Sequence, residues 1–145
     1  MSGRARDAWA RTTVHVWPGA YVFASLPCAR MADAAALAAA APEGTFVALV
    51  REREEVALTL PDALRPQLDA LGARAAGPFR VLTFDVALPL DLVGYLAPAA
   101  VRLAEAGVSI VPQCGFRTDH LLVRAEDLET AERVLEAFVR ACGAG

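Results

Sequence analysis

Residues 20–71 and 79–142 carry the same order of hydrophobic patterns, and this duplication constrains the fold more than any other feature of the chain. In the second stretch, Phe79, Val81, Thr83 and Asp85 alternate with Arg80, Leu82, Phe84 and Val86, the period of a strand. Asp91 then offers an N-cap to a helical stripe of Leu92, Leu96, Ala99, Ala100 and Leu103 that stops at Gly107. A proline inside a helix costs about 3 kcal/mol, so Pro98 moves the regular start to near Ala97, with Val93–Tyr95 as an entry turn. Strands follow at 108–112 and 119–123, with Gly115 turning the chain between them. The last helix spans 126–142 on the stripe Leu128, Ala131, Leu135, Phe138 and Cys142. Its acids lie early and its arginines late, which suits the helix dipole.

The first stretch repeats this β-α-β-β-α order. Strands are expected at 20–26, 45–50 and 56–60, helices at 31–41 and, interrupted or restarted at Pro66, at 61–71, and a linker at 72–78. An extra strand at 13–17 precedes Pro18-Gly19. The class is therefore α+β, with antiparallel sheets carrying helices on one face. A ferredoxin-like β-α-β-β-α-β sheet needs one more strand per unit. Strand 79–86 can close the first sheet while opening the second, and strand 13–17 can then fill the vacancy in the second by exchange. The expected division is a flexible tail at 1–12, docked by Trp9 if at all, a first unit at 13–77 and a second at 78–145.

Composition excludes several classes. All 14 basic residues are arginine and 32 residues are alanine, a bias of coding rather than of function. The net charge of −3 offers no basic surplus for phosphates, so no nucleic-acid partner is expected. Uncharged stretches such as 92–101 are far shorter than the roughly 18 residues of a spanning helix, so no membrane partner is expected either. Without an apolar run after the early arginines there is no signal-peptide pattern, and the cytoplasm is the default location. Cys28, Cys114 and Cys142 are odd in number and widely spaced, against a disulfide framework or a zinc site.

Catalytic motifs are absent: there is no GxGxxG, GKS/T, HExxH or GxSxG. Cys114, Asp119 and His120 form the one local cluster able to supply a nucleophile and base. Strand alternation sends Asp119 and His120 to opposite faces, which favours ordinary structural roles for them. His15 reads as structural, Arg51–Glu55 as a solvated turn, and Trp17, Tyr21 and Phe23 as packing aromatics. The segment from Asp91 to Ala97 is the most informative. A glycine before a helix lets a ligand approach the backbone, and the N–H groups of the helix start can hold a carboxylate.

The run Leu88-Pro89-Leu90-Asp91-Leu92-Val93-Gly94-Tyr95-Leu96-Ala97, with Leu103-Ala104-Glu105-Ala106-Gly107-Val108-Ser109-Ile110, resembles the ACT domain signature. More particularly it is similar to small bacterial tandem-ACT proteins related to the CASTOR-type amino-acid sensors. Phe116 to Val123 looks like the family's "DHxfV" segment, and 18–23 and 51–60 are similar to its first unit. Pro98, Pro112, Gln113-Cys114-Gly115 and Arg117 depart from the pattern.

The resemblance implies a regulatory protein of tandem ACT-like units, not an enzyme, with no cofactor. It implies a free amino acid bound at the seam between units, and a homodimer or other homo-oligomer. Carried over by residue, the ligand lies against Asp91, Val93 and Gly94 of the turn and Ser109 and Ile110 of the strand, with Asp119 for an α-ammonium group. The alternative is a structural or interaction module that pairs through its sheets without any ligand.

Overall fold

The computed structural model describes residues 1–144. In chain order the elements are α1 (Gly3–Ala10), β1 (Thr13–Val16), β2 (Tyr21–Pro27), α2 (Met31–Ala40), β3 (Ala48–Arg51), β4 (Glu55–Pro61), α3 (Arg65–Ala70), β5 (Arg74–Asp85), α4 (Leu96–Glu105), β6 (Ile110–Cys114), β7 (Asp119–Arg124) and α5 (Leu128–Gly143). Short 3-10 turns lead into α2, α3 and α5. The chain divides into two units, one of Trp17–Arg80 and one of Met1–Val16 with the chain from Val81 on. The division at 13–77 and 78–145 is thus displaced at both ends. Residues 72–78 are no linker, because β5 begins at Arg74.

In the unit Trp17–Arg80 the strands run β3-β4-β2-β5. The β2–β4 register sets Val22 against Leu60, Ala24 against Leu58 and Leu26 against Val56. All six are buried and share one core with Ala34 of α2 and Leu68 of α3. That is the period of two, delivering one face of the sheet to the helices. Fully burying a leucine contributes about 1.5–3 kcal/mol, so Leu26, Leu58, Leu60 and Leu68 do more here than the alanines of α2. Pro66 falls in the first turn of α3, where its missing N–H would be unpaired anyway.

In the second unit β1 and β7 both flank β5, and β6 lies beyond β7. β1 is antiparallel to β5 from Thr13 opposite Asp85 to Val16 opposite Leu82. The expected exchange is therefore present: the strand nearest the start of the sequence completes the sheet built from its second half. The helix α5 buries Ala131, Leu135, Phe138 and Cys142, the stripe expected from the sequence.

Residues 3–10, expected as a loose tail, are instead helical. The Ser2 Oγ caps α1 by accepting from the Ala5 N–H at 3.2 Å. Ala5, Ala8 and Trp9, spaced three and four apart, are buried. Trp9 is fully enclosed: its ring stacks on Tyr95 at 4.5 Å, meets Phe84 edge-on at 4.8 Å and lies 4.9 Å from Phe138. One aromatic side chain thereby gathers β5, α4 and α5, and burying so large a surface outweighs ordering two helical turns.

Asp91 does not cap α4, which is a second correction. The N-cap is Tyr95, with no side-chain hydrogen bond. Asp91 instead accepts both guanidinium N–H groups of Arg4 at 3.2 Å each. Pro98 is the third residue of α4, as the late start required, and costs the helix no hydrogen bond. Among the described residues no helix is long and apolar enough to cross a membrane, and all three cysteines are free.

Candidate functional site

Two irregular segments of the second unit meet at one end of its sheet. The first, residues 86–95, joins β5 to α4; the second, 115–118, is the tip of the β6–β7 hairpin. The tip is closed by Gly115 N–H donating to the Thr118 carbonyl at 2.9 Å. Leu88 N–H donates to the Arg117 carbonyl at 2.8 Å and fastens one segment to the other. A cleft of about 400 Å³ lies between them and reaches the first turn of α4.

Its walls come from both segments. Leu88, Leu92 and Leu96 supply aliphatic surface, and Phe116 stands at the hairpin tip. Gly94 lines the cleft at φ +80°, a conformation that glycine adopts without the strain of a Cβ. Leu96 and Ala97 begin α4 beside it, with no side chain capping their N–H groups. The first turn of this helix therefore presents unpaired donors and a partial positive charge.

The charged groups of the cleft are Arg117 and Asp119. Neither forms a salt bridge among the described residues, although Asp119 is half-buried. Asp119 stands opposite Cys114 in the β6–β7 register. Burial first, then the Asp119 hydrogen bond and negative charge, push the Cys114 thiol up, so its thiolate is disfavoured. His120 does not line the cleft. Its Nδ1 lies 2.7 Å from Thr83 Oγ1, and burial lowers its pKa against the opposing pull of Asp119.

Of the six residues singled out from the sequence, Gly94 and Asp119 come together in the cleft. Asp91 lies on the adjacent loop, exposed and held by Arg4, and the side chain of Val93 is 80% exposed. Ser109 precedes β6, and Ile110 at the start of that strand packs partly into the core. At about 3.3 Å per residue, four residues separate Ile110 from Cys114 by roughly 13 Å. The cleft takes the far end of β6, so it is Cys114 that reaches it. Leu92, Leu96, Phe116 and Arg117 were not singled out. An aromatic followed by an arginine in so short a turn between strands was the available signal.

Residues 75–137 match the ACT domain. The matched segment contains every residue of the cleft. The chain is similar to a structural-genomics target protein from Agobacterium tumefaciens, at 25% identity over 89% of this chain and 90% of that one, with a TM-score of 0.71. A protein of unknown function from Vibrio cholerae, described as a possible transport protein, is 27% identical over 95% and 99%, with a TM-score of 0.72. The ligand-free regulatory subunit of aspartate kinase from Thermus thermophilus is 18% identical over 87% and 97%, with a TM-score of 0.58. No curated protein sequence matches the chain. The architecture is α+β and ferredoxin-like, as the duplicated element order implied, and it is the fold of ACT domains, as the resemblance implied.

Proposed function

We propose that this chain is a regulatory protein of ACT-like units, akin to the CASTOR-type sensors, in which a free amino acid occupies the cleft beside Gly94. One observation carries the reading: Arg117 and Asp119 lie on the same cleft, opposite in sign and without salt-bridge partners among the described residues, next to an uncapped helix start. A zwitterion matches that set. Its carboxylate would take the N–H groups of Leu96 and Ala97 and the Arg117 guanidinium, and its ammonium the Asp119 carboxylate. The ligand-free aspartate kinase subunit, a regulatory chain by its name, shares the fold and is consistent with such a role.

Signalling would follow from a shift in population. Because Leu88 is fastened to Arg117, a ligand gripping the hairpin also biases the loop before α4. A cytoplasmic homo-oligomer is the form in which we expect it to act. No catalytic step belongs to the proposal, and a thiol held away from its thiolate suits that. A second reading, an assembly module without ligand, is favoured by Leu90, Val93 and Phe116, which are 78%, 80% and 79% exposed.

A thermal-shift panel of the free amino acids tests the first reading. A ligand at about one hundred times its dissociation constant adds roughly 2.7 kcal/mol of stability. A flat response to every amino acid at millimolar concentration would remove it in favour of the second.

A further inference from the structure

Resting on that reading, we infer that the cleft selects an amino acid with an apolar side chain, of the leucine or phenylalanine kind, over charged ones. The charges at the site are few. Arg117 and Asp119 are the ionised residues lining the cleft among those described, and both are taken up by the α-carboxylate and α-ammonium groups common to every amino acid. Nothing charged is then left over for a side chain. A lysine or aspartate side chain would enter the aliphatic part of the cleft with its own charge unmatched, which is strongly unfavourable unless it stays in water.

The remaining surface is the kind that an aliphatic or aromatic group covers. Leu88, Leu92 and Leu96 approach from the loop and the start of α4, with Leu90 and Phe116 at the mouth. Leu90 and Phe116 are 78% and 79% exposed, so they have apolar area to lose when a ligand arrives. The volume of about 400 Å³ is near the lower end of the roughly 300–1,000 Å³ typical of ligand sites, fitting a single residue rather than a peptide or a nucleotide.

Titration calorimetry of the full chain with leucine, phenylalanine, alanine, lysine and aspartate decides the matter. Leucine and phenylalanine should bind about tenfold or more tightly than alanine, since each buried methylene adds roughly fourfold and the cleft is open on one side. Lysine and aspartate should bind no better than alanine. Phe116→Ala, at an exposed position, should weaken leucine and phenylalanine severalfold more than it weakens alanine. Lysine or aspartate binding as tightly as leucine would overturn the inference while leaving the amino-acid reading intact. An equal loss for alanine and leucine in Phe116→Ala would also overturn it. Absence of binding by all five would overturn the inference, and a flat response to every other amino acid as well would overturn the reading beneath it.

Discussion

The Trp9 indole N–H donates to the Tyr95 main-chain carbonyl at 2.7 Å while the two rings stack nearly parallel, 9° apart. Tyr95 is also the N-cap of α4, so the residue that begins the helix beside the cleft is held by the N-terminal helix. The Tyr95 hydroxyl lies 2.7 Å from Thr12 Oγ1, which donates in turn to the Ala8 carbonyl. A main-chain atom and a side-chain atom of Tyr95 are thus both gripped from residues 8–12.

Trp9→Ala should therefore cost about 3–5 kcal/mol, the range for deleting a large buried aromatic. Trp9→Phe keeps a ring but leaves the Tyr95 carbonyl without this donor, and should cost about 1–3 kcal/mol. Urea unfolding curves of the two variants measure both. A Trp9→Ala protein as stable as wild type would contradict the enclosed position of the ring.

His120 makes stability depend on pH. Burial sets its folded pKa below the usual 6.5, so the unfolded chain takes up the proton first as pH falls. The stability it contributes is complete above 6.5 and is lost as pH drops toward the lowered folded value. Urea midpoints between pH 7.5 and 5 should decline, and should decline less steeply in His120→Gln.

The Cys114 thiol should alkylate slowly at pH 7, although its side chain is exposed. Its rate profile with iodoacetamide should have a midpoint above that of an unperturbed thiol. Asp119→Asn removes a negative charge and should shift that midpoint down. A wild-type midpoint near neutrality would reopen the nucleophilic role.

Gly94→Ala should destabilise by about 1–2 kcal/mol, the cost of holding a Cβ residue in the left-handed region. No heavy atom lies within 4 Å of the added methyl, so backbone strain alone is at issue. Gly94→Asn, which tolerates that region better, should lose less in the same thermal melts.

The elements carried by periodicity were legible. The stripe of α5 and the alternation of β2 and β4 follow directly from the spacing of apolar residues, because burial acts on whole faces. Pro98 could be placed in a first turn from the loss of its N–H alone, whereas Pro66 marked only an interruption or restart within the helix expected at 61–71. The helix α1 was hidden: Arg4, Arg6, Asp7 and Arg11 mask a buried stripe of three residues. What stabilises it is Trp9 meeting Tyr95 and Phe138, contacts made 86 and 129 positions away.

The cleft was half legible for a similar reason. Gly94 was marked by the turn before the helix, and Asp119 by the resemblance of residues 116–123 to the family's segment. Leu92, Leu96 and Phe116 are ordinary apolar residues until the Leu88–Arg117 hydrogen bond draws the two segments together. The Arg4–Asp91 pair is a local accident of where α1 docks, and no spacing rule reaches it.

The place of β1 beside β5, and of Trp9 against Phe138, sets a schedule for the nascent chain. Residues 1–16 belong to a unit that is completed only by the chain from Val81 on. Residues 17–80, by contrast, have all their partners once β5 has begun. At about 5–20 residues per second, Trp9 waits on the order of ten seconds for Phe138. During that interval Trp9 can find only part of its enclosure, Phe84 and Tyr95, and the side that α5 will cover stays open.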